Sequence, residues 1–156
     1  MILIDAEGLM SQYPELEYKF EPLMPEVQKG LIIDQVVYLN PDQRAEELTC
    51  TVAEEISHYL TSAGDITDLK KQEARKQEAK ARRFAATMLI KPEDFIEIHK
   101  EGLGALWECA AHLEVTEEVL RTAIAEYSRK FPRGLTYGGY IMFFRPNGTI
   151  SMLQPF

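Results

Sequence analysis

The sequence has few of the features that mark secreted or membrane-spanning chains. It contains two cysteines, Cys50 and Cys109, in no Cys-x-x-Cys arrangement, so it offers neither a redox motif nor a cysteine metal site. No apolar run approaches the roughly 20 residues that cross a bilayer, and the first five residues lack the basic side chains of a signal peptide. These absences predict a cytoplasmic protein with no membrane contact, whose cysteines are small core residues.

Positive charge is also scarce. The 156 residues include 17 Lys and Arg against 25 Asp and Glu, for a net charge of −8. Such a balance disfavours non-specific attraction to the phosphates of nucleic acid, so nucleic acid is an unlikely partner. The length suits one domain with a small appendage.

The hydrophobic periodicity predicts an α+β fold. A hairpin is expected where Asp34 and Gln35 separate two short apolar runs, and a second one is expected at the Asn-Gly turn before residue 149. Helical spacing is predicted for five segments: from Pro41 to before Gly64, 69–90, 92–98, 105–113 and 116–127. We expect two regions, residues 1–100 and 101–156, the second combining a helix-turn-helix-like pair with the final hairpin.

The first long helix carries the chemistry-bearing residues. Glu54 and His58 lie four residues apart and therefore on one helix face, with Glu55 beside them. The pattern is one residue away from His-Glu-x-x-His, in which two imidazoles hold zinc and the glutamate acts as general base. Here Glu54 stands in place of the first histidine.

Three separated segments resemble the ImmA/IrrE family of metallopeptidase-like proteins, many of them encoded by phages, prophages and mobile elements. They are Val52-Ala-Glu-Glu-Ile-Ser-His-Tyr-Leu60, Ala81-Arg-Arg-Phe-Ala-Ala-Thr-Met-Leu-Ile-Lys-Pro92 and Leu113-Glu-Val-Thr-Glu-Glu-Val-Leu120. The resemblance implies a zincin-like fold with the active-site helix on a small sheet. It also implies a zinc cofactor and the cleavage of a repressor-type transcription factor as partner.

Position by position, the resemblance assigns the general base to Glu55 and a metal ligand to His58. Glu54 occupies the first ligand position, and Lys80 occupies the third, where a protonated lysine has no lone pair for a metal. A third ligand would then come from Asp65, just past Gly64. Glu78 is the poorer candidate, because it lies about 200° round the helix from Lys80.

Two functions remain open at this point. The first is a zinc metallo-endopeptidase with Glu54, His58 and Asp65 as ligands and Glu55 as catalytic residue. The second is a catalytically inactive binding module, a pseudoenzyme in which a Glu54–Lys80 ion pair replaces zinc.

Residues outside the motif receive ordinary structural interpretations. Trp107 falls on a helical apolar pattern and is expected in the core. A DNA-reading role for the helix pair is disfavoured, because its second helix begins with Glu117 and Glu118, which repel phosphates.

Overall fold

The computed structural model describes residues 4–61 and 71–155, which fall into two compact units that divide between Ala85 and Ala86. The helices are α1 (Ala6–Ser11), α2 (Ala45–Thr61), α3 (Lys71–Leu89), α4 (Pro92–Lys100), α5 (Leu106–Leu113) and α6 (Glu117–Lys130). The strands are β1 (Glu17–Phe20), β2 (Gly30–Ile33), β3 (Val36–Leu39), β4 (Leu135–Tyr137), β5 (Tyr140–Phe144) and β6 (Ile150–Leu153). Within the described ranges, none of the helices has the length and apolar character needed to span a membrane.

The first unit places α2 on a three-stranded sheet of order β1-β3-β2. β2 and β3 form the predicted antiparallel hairpin, and Asp34 takes a positive φ of 56° in its two-residue turn. β1 adds to the other side of β3 in parallel. Val37 and Leu39 of β3 are fully buried, as are Val52 and Ile56 of α2, so this helix and sheet share one apolar core.

Helix α2 begins later than the sequence predicts, at Ala45 rather than directly after Pro41. The buried Asn40 explains the difference. Its side-chain Oδ1 accepts a hydrogen bond from the backbone N–H of Asp42 at 2.9 Å, which turns the chain before the helix can start. Its Nδ2 donates to the carbonyls of Pro25 and Gln28, at 3.1 and 2.9 Å, and so fixes the segment between β1 and β2.

The second unit is built round an antiparallel sheet of order β4-β5-β6 against which α6 packs. Phe95 of α4, Tyr127 of α6 and Phe144 of β5 form an aromatic cluster with ring centroids 5.1 to 5.5 Å apart. The Tyr127 hydroxyl donates to the Ile90 carbonyl at 2.8 Å, and Thr116 caps α6 by accepting from the Val119 N–H, as its sequence position predicts.

The predicted α+β class, the helix on a small sheet and the C-terminal hairpin are confirmed, and both cysteines are buried as expected. The prediction for Trp107 is wrong, because 64% of it is exposed. Helix α5 buries the stripe of Cys109, Ala110 and Leu113, and Trp107 lies outside that stripe. The division predicted at residues 100 and 101 stays a prediction.

Candidate metal centre

Helix α2 presents the motif residues at the border of its buried face. Glu54 and His58 are half-buried and lie on one face because they are four residues apart. Glu55, which follows Glu54 in the sequence, is buried, and its neighbour Ile56 is fully buried. The packing of α2 on the sheet therefore fixes the carboxylates and the imidazole at the edge of the core.

A third donor comes from α3. The Oε2 atom of Glu78 lies 3.0 Å from Nε2 of His58. One ligand atom each from Glu54, His58 and Glu78 lie within 4.8 Å of one another, and all three residues are half-buried. The structure thus brings together one imidazole and two carboxylates from two helices.

The sequence interpretation set Glu78 aside, whereas the structure places its carboxylate beside His58. The face of α3 that packs inward is marked by the buried residues Ala81 and Ala85, three and seven residues after Glu78. Lys80 lies about 200° round the helix from Glu78 and is exposed. The spacing of the two alanines marks the face that carries Glu78, whereas the match to the family motif points to Lys80.

The cation next to Glu54 is Arg82 rather than the predicted Lys80. Its Nε lies 3.4 Å from Oε1 of Glu54, and its Nη2 lies 3.8 Å from Oε1 of Glu78. Because Arg82 is four residues after Glu78, the two side chains share a helix face. The predicted Glu54–Lys80 ion pair is therefore wrong, and a Glu54–Arg82–Glu78 arrangement replaces it.

Asp65, the other predicted ligand, lies outside the described residues. Its role stays a prediction.

The site gathers the carboxyl groups of Glu54, Glu55 and Glu78 beside the guanidinium of Arg82. Burial, together with the charges of Glu54 and Glu78, raises the pKa of Glu55 to about 8. Burial is also the main cause that raises the pKa of Glu54. A hydrogen bond to Glu78 and the charge of Glu78 raise this pKa further, whereas Arg82 lowers it. A divalent cation would stabilise the charged forms of these groups, and imidazole with carboxylate oxygen is a donor set that zinc accepts. The residues present therefore fit a zinc ion.

Gly30 lets strand β2 approach the motif closely. A Cβ added at this position would lie 2.6 Å from Cγ2 of Thr51 and 3.1 Å from both Cγ and Oε1 of Glu55. Only a residue without a side chain fits there, so the start of β2 lies directly against the candidate general base.

No curated protein shows significant similarity to the chain. The sequence pattern of the IrrE N-terminal-like domain matches residues 13–124, and the chain therefore belongs to this peptidase family, as its three motif segments predict.

Proposed function

We propose that the chain is a zinc-dependent regulatory endopeptidase in which Glu54, His58 and Glu78 hold the metal. The convergence of these three donor side chains within 4.8 Å carries the proposal. Three protein ligands with one position left open is the usual composition of a catalytic zinc site. Glu78 supplies the ligand that Lys80 cannot.

The chemistry would be hydrolysis of a peptide bond. Bound zinc would supply Lewis-acid polarisation of the scissile carbonyl. Glu55, buried and within the electrostatic influence of Glu54 and Glu78, would take a proton from the attacking water and return it to the leaving nitrogen. The resulting products are a free carboxylate and a free amine, so no other co-reactant is needed.

The partner in this proposal is a repressor-type transcription factor in the cytoplasm of a cell that carries a phage, prophage or other mobile element. Support comes from the likeness of the motif segments to ImmA/IrrE proteins. The net charge of −8 agrees with a protein partner rather than direct contact with nucleic acid.

A second candidate function is a non-catalytic binding module, and the position of Arg82 favours it. Its guanidinium lies beside both carboxylates of the proposed site and can balance their charge without a metal. In that case Arg82, rather than Lys80, would be the resident cation of a pseudoenzyme.

Zinc content distinguishes the two candidates. Protein purified without chelators and dialysed against zinc should contain about one tightly bound zinc per chain by plasma mass spectrometry. His58→Ala and Glu78→Gln should each lower the affinity at least about tenfold, since each removes a ligand. Glu73→Gln, an exposed change on the same helix, serves as control and should bind like the wild type. A zinc-to-protein ratio near zero for the wild type, even after soaking with zinc, would exclude the zinc endopeptidase and favour the binding module.

Hydrolysis needs its own test. Zinc-loaded protein incubated with a proteome-derived peptide library should produce new termini that mass spectrometry detects. Glu55→Gln should remove nearly all of this activity, roughly a hundredfold or more, while the zinc content stays near the wild-type level. Equal cleavage by wild type and Glu55→Gln would contradict the role of Glu55.

A further inference from the structure

An apolar groove lies on the first unit, apart from the donor atoms of the metal centre. It has a volume of about 320 Å³ and is lined mainly by the apolar side chains of the segment between β1 and β2 and of the outer face of the sheet: Leu23, Met24, Pro25, Leu31, Ile33 and Tyr38. Val27, in the same segment, is 92% exposed, and Leu23 is 90% exposed. We call these seven residues the apolar turn surface.

This surface is held in a fixed shape although its side chains face solvent. The N–H of Met24 donates to the carbonyl of Glu21, and that of Gln28 donates to the carbonyl of Pro25, so the segment contains two consecutive turns. The side chain of Asn40, 3% exposed, ties Pro25 and Gln28 to the end of β3. Leu23 and Val27 are therefore presented to solvent by an ordered backbone, which lowers the entropic cost of binding there.

The charges around the apolar turn surface are predominantly negative. Residues 15–34 contain five acidic and two basic side chains. Both basic side chains already have acidic neighbours. Nζ of Lys19 lies 3.5 Å from Oε1 of Glu17, and Nζ of Lys29 lies 3.6 Å from Oε2 of Glu47. Glu21 lines the groove, and Glu26 follows Pro25 in the same segment; we call these two carboxylates the acidic rim, which attracts cations and repels anionic lipid.

The size of the surface indicates a short segment rather than a second copy of the chain. Seven residues fall well short of the roughly 20 to 30 residues a side that a stable protein interface needs. A short amphipathic helix, by contrast, places only a few apolar anchors in such a groove. From the exposed apolar side chains and the acidic rim, we propose that the apolar turn surface binds an amphipathic, basic segment of a partner protein.

The apolar turn surface and the metal centre lie on opposite faces of the same sheet. Leu31 and Ile33 belong to β2, whose first residue, Gly30, lies against Glu55. Because Leu31 and Ile33 alternate with Gly30 along the strand, they lie on the other face of the sheet, and a partner segment bound there would not touch the donor atoms of the metal centre. The binding itself requires neither zinc nor hydrolysis, so it can be tested in metal-free protein. Its result does not depend on whether the proposed peptidase activity is confirmed.

The test uses a synthetic helical peptide with one leucine face and one lysine face, and fluorescence anisotropy as readout. The wild-type protein should bind it, and Leu23→Ser combined with Val27→Ser should weaken the affinity at least about tenfold through lost apolar contact. Both side chains are almost fully exposed, so the double variant should keep the wild-type circular dichroism spectrum. Leu153→Ser, half-exposed in the second unit, is the matched control and should bind like the wild type.

Charge and self-association complete the experiment. Glu21→Gln with Glu26→Gln should weaken binding about threefold and reduce its salt dependence, and a peptide with glutamate in place of lysine should not bind. Equal losses in the Leu153→Ser control, or equal binding of the acidic peptide, would overturn the proposal. Sedimentation showing a wild-type dimer that the double serine variant abolishes would overturn it in favour of a second copy.

Discussion

Gly30 is the residue whose replacement should disturb the candidate site most directly. In Gly30→Ala the new methyl group would meet Thr51 and the Glu55 side chain, so either β2 or Glu55 must move. We expect a loss of roughly 1 to 3 kcal/mol in the free energy of unfolding, the usual effect of overpacking. Urea denaturation measures this loss.

The matched control for this change is Gly104→Ala, because a Cβ added at Gly104 meets no atom of the described residues within 4 Å. It should change the free energy of unfolding by less than about 0.5 kcal/mol. If both alanine variants were equally stable, the close approach of β2 to Glu55 would be contradicted.

At the residue scale, the sequence predicted part of the site and missed the rest for identifiable reasons. Glu54, Glu55 and His58 follow from local spacing on one helix, which sequence shows directly. Glu78 depends on which face of α3 packs inward. The inward face of α3 is marked by the buried residues Ala81 and Ala85. Matching Lys80 to the family motif gives no information about this packing.

At the scale of elements, Tyr127 tests how α6 is joined to the chain before α4. Its buried hydroxyl donates to the Ile90 carbonyl. Tyr127→Phe should leave that acceptor unpaired and lower the free energy of unfolding by about 1 kcal/mol at neutral pH. Tyr140→Phe is the control, because the Tyr140 hydroxyl has no hydrogen-bond partner among the described residues, and it should be close to neutral.

The same tyrosine predicts a pH dependence. Burial, with the charges of Asp94 and Glu93, raises the pKa of Tyr127 to about 12, above its value near 10 in the unfolded chain. Between these two values the native state retains a proton that the unfolded state has lost, so stability falls as pH rises. The stability of Tyr127→Phe should fall less over that window, which chemical denaturation at several pH values would measure. Parallel curves for both proteins would contradict the raised pKa.

Elements with local signals were predictable, and elements that depend on distant pairing were not. The β2–β3 hairpin and α6 carry their turn and capping residues in their own sequence. Strand β1 reads Glu-Tyr-Lys-Phe, an alternation of charged and aromatic residues, but a segment of four residues does not show that it pairs in parallel with β3. The start of α2 similarly depends on Asn40, whose side-chain bonds reach back to Pro25 and Gln28.

At the scale of the whole molecule, metal binding should appear as added stability. Zinc that binds the native state and not the unfolded state should contribute about 2.7 kcal/mol when free zinc is a hundred times its dissociation constant. The melting temperature should therefore rise with zinc concentration, and excess chelator should reverse the rise. Differential scanning fluorimetry provides the measurement.

His58→Ala should lose most of this zinc-dependent shift, whatever its own melting temperature without metal. Glu73→Gln should keep it in full, because that side chain lies on the exposed part of α3. A shift of equal size in His58→Ala would mean that zinc binds elsewhere on the chain.

The two buried cysteines have one further consequence, because Cys50 lies in the first compact unit and Cys109 in the second. A thiol shielded from solvent reacts with a labelling reagent only during local opening of the structure round it. The labelling rate of each thiol therefore reports the free energy of the local opening that exposes it in its own unit. The natural sequence thus already contains one kinetic reporter for each half of the fold, with no engineered label required.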